Sequence, residues 1–381
     1  MKKWICVGLI LSMLVLPVQA QPEGLSVAGK SALLMDAATG TVLFESNSHE
    51  KLAPASVTKV MTLLLIMEAI DSGKIGWKDT VTASAEAAAK GGSQIFLKEG
   101  ETMSVEDMVK SIAVSSANDC ACAMAEHIAG SEAAFVDLMN QKAKELGMND
   151  TNFVNCTGLD DEPEAENHKT SAYDIALMSR ELIVKHPDIE KYTTIWMDTV
   201  RNGTFGLSNT NKLIRFYSGA TGLKTGYTSG AGYCLSATAK RDGMELIAVV
   251  MGCETSKERL AACKILLDFG FANYALVTPE LSGSNPVPVK LGTENQVNAV
   301  PGENPQLLIS KGQKDMITTQ VTLEEGVTAP VSRGQRLGTL EIKAGDQILA
   351  QVSMVAEAPV ERLTLGQLFV QMLRQPSGSP A

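Results

Sequence analysis

Three short residue groups in this chain have types and spacings suited to acyl transfer. Ser56-Val57-Thr58-Lys59 puts a hydroxyl and an amine three positions apart, at the start of an apolar stretch. On a helix that spacing sets both groups on one face, one turn apart. A serine hydroxyl needs a base to become a nucleophile. A lysine can be that base only where burial or a nearby cation lowers its pKa. Ser116-Ala117-Asn118 follows at a break between two helical runs, where a hydroxyl and an amide can project into a cleft. Lys224-Thr225-Gly226 stands at the start of a strand-like run. It supplies a positive charge, a hydroxyl, and a glycine that lets a ligand approach the backbone closely. Each group alone is common by chance.

Other chemistries are poorly represented. The four histidines include no His-Glu-x-x-His, and no paired Cys-x-x-Cys is present, so neither a zinc peptidase nor a zinc finger is expected. There is no Gly-x-x-x-x-Gly-Lys-[Ser/Thr] loop. No metal and no cofactor is called for. Acids outnumber bases, 43 to 33, without a Lys/Arg block, which argues against a nucleic-acid surface. His168 reads as a structural hydrogen-bonding residue, and Asp160-Asp161-Glu162 as a solvated acidic loop.

The elements that must position these groups can be read from periodicity. At 381 residues, 45% apolar and 20% charged, the chain is long enough for two or three globular domains. Ser31 to Phe44 reads as a hairpin, and Val57 to Ile70 as a buried helix. Helices are expected over Val105–Val114, Ala121–Ile128, Glu132–Leu146, Ser171–Val184 and Lys257–Phe269. Tyr233–Ala239 and Glu245–Met251 read as neighbouring strands joined at Asp242-Gly243. From Ala275 to Leu368 there is no aromatic residue and no cysteine, and short alternating runs appear, which marks a separate small β domain. Leu365, Leu368, Phe369, Met372 and Leu373 then fall on one helical face.

The N-terminus reads as an export signal. Lys2 and Lys3 precede a 13-residue apolar run, Trp4 to Leu16, and Val18-Gln19-Ala20 forms a small-x-small cleavage site. The run is too short to span a membrane. Cys6 leaves with the signal. Six cysteines remain, which is not a disulfide scaffold for a chain this long, and most are expected to be buried free thiols.

Together and in this order, the three groups match the set found in penicillin-binding proteins and class A β-lactamases, with Ser-Ala-Asn as the second element. The chain resembles a low-molecular-mass penicillin-binding protein of the serine D-alanyl-D-alanine carboxypeptidase family. The resemblance rests on Pro54-Ala55-Ser56-Val57-Thr58-Lys59-Val60-Met61-Thr62, Ser115-Ser116-Ala117-Asn118-Asp119, Asn155-Cys156-Thr157-Gly158-Leu159, Asn167-His168 and Thr221-Gly222-Leu223-Lys224-Thr225-Gly226-Tyr227-Thr228. It implies an α/β (α+β) transpeptidase/β-lactamase-like domain with a central antiparallel sheet and helices. A small all-β domain and a C-terminal amphipathic helix follow. The expected division is a signal peptide (1–20), a catalytic domain (21–277), a β-rich domain (278–358) and a membrane-anchoring tail (359–381).

The resemblance also implies roles. Ser56 attacks the peptide carbonyl between two terminal D-alanines, and Lys59 takes its proton. Ser116 relays a proton to the leaving D-alanine, while Asn118 holds Lys59 and the substrate amide. Lys224 keeps the site positive. Thr225 and Arg259 bind the terminal carboxylate. The backbone N–H groups of Ser56 and Tyr227 form the oxyanion hole. Tyr227 stands where several relatives carry histidine. Implied partners are peptidoglycan stem peptides, β-lactam antibiotics and, through the tail, the outer face of the cytoplasmic membrane. Rival readings are a β-lactamase or endopeptidase on the same scaffold, or a non-catalytic β-lactam-binding or wall-anchoring protein. The first lacks the Glu-x-x-x-Asn signature, since Pro163 stands four residues before Asn167. The last has no need of Lys59.

Overall fold

The four inner positions of Ser31–Asp36 are apolar because the segment becomes a strand buried on both faces. The computed structural model describes residues 25–161, 163–279 and 283–374. The expected signal segment, residues 1–20, lies outside them. The chain divides into two compact units, which meet between Asn273 and Tyr274.

The first unit opens with β1 (Ser31–Asp36) and β2 (Val42–Ser46). A 3-10 turn (Ala55–Thr58) then runs straight into α1 (Lys59–Asp71). Next come β3 (Thr80–Thr82), α2 (Ala85–Ala89), β4 (Thr102–Ser104), α3 (Val105–Ser115), α4 (Asn118–Ala129) and α5 (Glu132–Glu145). After a long loop follow α6 (Ala172–Lys185), α7 (Glu190–Thr193), β5 (Met197–Val200), β6 (Phe205–Ser208) and α8 (Leu213–Phe216). The unit closes with β7 (Ala220–Thr228), β8 (Gly232–Arg241), β9 (Met244–Cys253) and α9 (Ser256–Asn273).

Its central sheet has the order β2-β1-β9-β8-β7, antiparallel throughout. The β8–β9 turn has positive φ at both Asp242 and Gly243, the geometry that an Asp-Gly hairpin favours. Alternate residues of β1 and β9 face opposite sides. Leu33, Met35, Ile247 and Val249 join the main core with α1, α4 and α6. Leu34 and Leu246 lie against Gly270 of α9. Helix α1 is apolar nearly all round because it is buried nearly all round. Its first residue, Lys59, is fully buried with it.

Apart from a 3-10 helix at Lys311–Met316, the second unit is all-β before its last helix. It comprises β10 (Tyr274–Val277), β11 (Pro286–Lys290), β12 (Gln296–Pro301), β13 (Leu307–Ser310), β14 (Ile317–Leu323), β15 (Val327–Thr328), β16 (Arg336–Ala344) and β17 (Gln347–Ala356). Six of these form one sheet, β14-β16-β17-β12-β11-β15, and β10 pairs with β13. The core is aliphatic, built on residues such as Val287, Leu337, Ile342 and Met354. Helix α10 (Leu365–Arg374) ends the described chain.

Two expected boundaries shift. Tyr274–Val277 pairs with Leu307–Ser310, so the division falls before Tyr274 and not after Val277. The β unit also runs past 358: Val360 is buried and bridges Val331, Arg362 bridges Gly292, and the Leu363 N–H donates to Leu291 O. The tail proper starts at Thr364. There Thr364 and Gln367 form a reciprocal cap, Thr364 N–H to Gln367 Oε1 at 2.8 Å and Gln367 N–H to Thr364 Oγ1 at 3.4 Å. Leu365 and Phe369 are exposed, at 87% and 64%. The side chains of Met372 and Leu373 lie outside the described ones. Among the described residues, no helix is long and apolar enough to cross a membrane.

Candidate active site

The 3-10 turn carries Ser56, and the chain enters it through Ala55 at φ 48, a left-handed conformation for a residue with a Cβ. Such a residue costs about 1–3 kcal/mol and persists only where its surroundings hold it. Here they do. Val57 N–H donates to Pro54 O at 3.2 Å, and Thr58 Oγ1 donates to Ala55 O at 2.8 Å. His168 Nδ1 accepts from Val154 N–H at 3.1 Å, so its proton sits on Nε2 and points at Thr58 Oγ1, 2.8 Å away. Burial pushes the His168 pKa down to about 4, which keeps the ring neutral. It braces the turn that carries Ser56.

Lys59 Nζ donates to Ser56 Oγ at 2.9 Å and to Thr157 O at 2.8 Å. Burial lowers its pKa to about 7, against smaller opposing effects from Cys156 and Asp119. The neutral amine is therefore accessible near physiological pH, within hydrogen-bond reach of the Ser56 hydroxyl. The Thr157 carbonyl is a partner that side-chain reading missed, because a backbone acceptor leaves no residue signature. The Asn155-Cys156-Thr157-Gly158 stretch was its only trace.

Ser116 ends α3 in the left-handed region, φ 63, its N–H donating to Ile112 O at 3.1 Å. This reversal lets α4 begin at Asn118. The hydroxyl of Ser116 and the amide oxygen of Asn118 are buried with no hydrogen-bond partner. Asn118 does not make the expected bond to Lys59. Its Nδ2 donates to Gly91 O at 2.7 Å, and its backbone N–H to Ser93 O at 2.7 Å. The next residue, Asp119, is fully buried and accepts the N–H groups of Ile95, Leu97 and Cys120. Asn118 and Asp119 thus fasten the 91–97 loop to α4.

Lys224, Thr225 and Gly226 lie on β7 opposite Ser236, Leu235 and Cys234 of β8. Lys224 Nζ donates to Thr225 O at 2.8 Å. Burial, with the charges of Lys59 and Arg259, pushes its pKa well down. Thr225 Oγ1 donates to Thr210 Oγ1 at 2.7 Å. Gly226 is required for a different reason than ligand approach. A Cβ there would lie 2.6 Å from Pro54 O and 3.1 Å from Ser56 N, so the strand runs hard against the nucleophile turn. Gly158, at φ +81, does the same from the other loop: its added Cβ would collide with Ala55 O and sit 2.7 Å from Thr58 Oγ1.

Tyr227 is 55% exposed and stacks on Tyr233 with centroids 4.2 Å apart. Arg259 is buried and already engaged. Its Nη1 donates to Gly226 O at 3.0 Å and Cys234 O at 3.2 Å, its Nη2 to Ser256 Oγ at 3.3 Å, and it lies over the Tyr233 ring. It braces the strand that carries Gly226. The structure thus gathers Ser56, Lys59 and Gly226 directly. Lys224 sits close enough to Lys59 for mutual charge repulsion.

All six cysteines after the expected signal are free and buried. Glu86, Cys122 and Glu132 bring ligand atoms within 4.8 Å of one another, a spacing a metal could use. The Lys90 ammonium, 2.6 Å from Glu132, already supplies the cation there.

A family model described as D-alanyl-D-alanine carboxypeptidase matches residues 17–255. A second, described as the C-terminal domain of penicillin-binding protein 5, matches residues 281–362. The D-alanyl-D-alanine carboxypeptidase DacF of Bacillus subtilis is 45% identical over 358 residues, covering 92% of this chain and 89% of that one. Penicillin binding protein 5 from Haemophilus influenzae superposes with a TM-score of 0.76 at 30% identity, covering 90% of this chain and all of that one. Penicillin-Binding Protein D2 from Listeria monocytogenes, in a cefotaxime-bound form, superposes at 0.60 with 32% identity, over 66% of this chain and all of that one.

Proposed function

The chain belongs to the D-alanyl-D-alanine carboxypeptidase family and is a serine-type hydrolase of that activity, and from that premise we propose that Ser56 and Lys59 carry its chemistry. Neutral Lys59 takes the Ser56 proton as Oγ bonds to the carbonyl carbon between two terminal D-alanines. The C–N bond then breaks. The leaving D-alanine receives a proton through Ser116, whose buried hydroxyl has no protein partner in the structure. Water hydrolyses the resulting ester and frees Ser56. A β-lactam, whose ring amide presents the same kind of carbonyl, acylates the same oxygen.

The oxyanion is assigned to the backbone N–H groups of Ser56 and Tyr227. The close approach of Gly226 to Ser56 N supports this, since it brings β7 alongside the turn. Loss of one such donor costs about 3–4 kcal/mol of transition-state stabilisation. Lys224 and Thr225 are assigned to the substrate carboxylate, whose charge favours protonated Lys224. Asn118 contributes its free Oδ1 to the substrate amide, and Arg259 acts by holding Gly226.

The substrate is proposed to be a peptidoglycan stem peptide, met outside the cytoplasm. The Lys2-Lys3 and Trp4–Leu16 pattern supports export, and the exposed Leu365 and Phe369 of α10 support peripheral attachment to the outer face of the cytoplasmic membrane.

The observation that carries the mechanism is the fully buried Lys59 at 2.9 Å from Ser56 Oγ. Release of free D-alanine from a diacyl-L-Lys-D-Ala-D-Ala peptide tests it. Ser56→Ala should abolish both that release and covalent labelling by a fluorescent penicillin while the far-UV spectrum is unchanged. Full labelling of the variant would rule out Ser56.

A further inference from the structure

We propose that Glu132 is a positioning residue for acyl transfer, linking through one buried carboxylate the two loops that hold Lys59 and Asn118. Glu132 opens α5 directly after its N-cap Ser131, whose Oγ accepts the Ala134 N–H at 3.1 Å. It is 9% exposed, in a place where no step of the reaction needs an acid. One oxygen, Oε1, accepts both the backbone N–H of Cys156 at 3.0 Å and its thiol at 3.1 Å. The other, Oε2, takes the Lys90 ammonium at 2.6 Å.

Each bond leads on to the site. Cys156 O accepts from Thr62 Oγ1 of α1 at 2.6 Å, and the next carbonyl, Thr157 O, holds Lys59 Nζ at 2.8 Å. Lys90 directly precedes Gly91, whose carbonyl holds Asn118 Nδ2 at 2.7 Å. With the Cys122 thiol also donating to Oε2 at 3.8 Å, the buried Glu132 carboxylate has a charged partner and three further donors, and it is a directional joint because each bond is charge-assisted and shielded from water. The Thr157 loop has no regular secondary structure of its own to fix that carbonyl. Displacing a reacting group by about 1 Å from a distant site costs on the order of a hundredfold in rate.

The inference rests on Lys59 being the base, and the test separates the two. Full-length Glu132→Gln keeps an oxygen for the Cys156 N–H but removes the nearer charge on Lys90, leaving only the exposed Glu86 at 3.6 Å. Competent sites are counted by saturating fluorescent-penicillin labelling, and acylation is timed per competent site across pH. The expected result is a per-site acylation rate lowered roughly ten- to a hundredfold, with affinity for the initial non-covalent complex changed less than about twofold. The charged and titratable groups facing Lys59 are Asp119 of α4, Cys156 and His168 of the following loops, and Lys224 of β7. None of these is substituted, and Cys156, which exchanges a carboxylate partner for an amide, stays a neutral thiol because burial is what chiefly holds its pKa up, so a weakened Thr157 acceptor should move the acid limb of the profile to lower pH. Lys90→Met attacks the pair from the other side, should give the same per-site loss, and decides the matter if Glu132→Gln does not fold. A loss confined to the number of competent sites, with rate and limb unchanged, overturns the proposal. Normal per-site acylation in Lys59→Arg would instead overturn the base assignment beneath it.

Discussion

The buried position of Lys59 sets a pH dependence that can be worked through in numbers. Acylation needs the neutral amine, and burial brings the Lys59 pKa from 10.5 to about 7. The second-order rate of penicillin acylation, which reports the free enzyme, should follow the neutral fraction. That fraction is roughly half at pH 7, about a tenth at pH 6 and about a hundredth at pH 5. A lysine with its ordinary value would be neutral in only about three molecules in ten thousand at pH 7. The difference amounts to about 5 kcal/mol in the balance between charged and neutral forms. His168 cannot supply such a limb, because it titrates near 4 and both its nitrogens are engaged. Stopped-flow acylation between pH 5 and 9 is the assay. A rate independent of pH across that range, or a Lys59→Arg variant with the same profile, would refute the reasoning. Stability carries the same shift with a definite sign. Between about 7 and 10.5 the unfolded chain holds a proton on this lysine that the folded chain has released, so stability rises with pH through that window. Lys224, also pushed down, adds slope of the same sign, so the comparison to make is with Lys59→Met.

Two further outcomes follow from packing. Gly226→Ala forces a Cβ to within 2.6 Å of Pro54 O, and should cost about 1–3 kcal/mol in thermal unfolding and most of the penicillin labelling rate; wild-type labelling would show that β7 can retreat from the turn. A chain ending at Leu363 keeps the buried Val360 and should retain full activity on soluble peptide while losing sedimentation with lipid vesicles. Leu365 and Phe369 each offer about 1.5–3 kcal/mol of apolar transfer, and equal sedimentation of both chains would sink the anchor.

The helices and central strands were legible because their apolar runs are also their buried runs, as in α1 and the β8–β9 hairpin. Two of the three motifs sit at element boundaries with a local signal, a 3-10 entry and a helix cap, whereas Lys224-Thr225-Gly226, expected at a strand start, lies inside β7, which begins at Ala220. What escaped were effects of main-chain geometry. The function of Gly226 depends on Pro54, which is remote in sequence, and the second anchor of Lys59 is a carbonyl. Asn118 was assigned to Lys59, but its amide went to Gly91, because a loop with no periodicity could not be located beforehand. The unit boundary was missed by four residues because β10 finds its partner, β13, only in three dimensions.

The grip of Gly226 and Gly158 on the nucleophile turn limits how this enzyme can evolve under antibiotic. A β-lactam selects variants whose serine acylates more slowly. Here Ser56 cannot be shifted alone, because the turn is pressed from two sides by main chain, and a larger residue at 158 or 226 meets carbonyl oxygens that have no rotamer to retreat into. Tolerable change must therefore accumulate on side chains that can rotate at the rim, such as Tyr227. Groups at the rim touch the parts of a ligand beyond the reacting bond, and those are the parts in which a drug and a cell-wall peptide differ. Resistance in this scaffold should thus take the form of discrimination between ligands, with the nucleophile's own reactivity left intact.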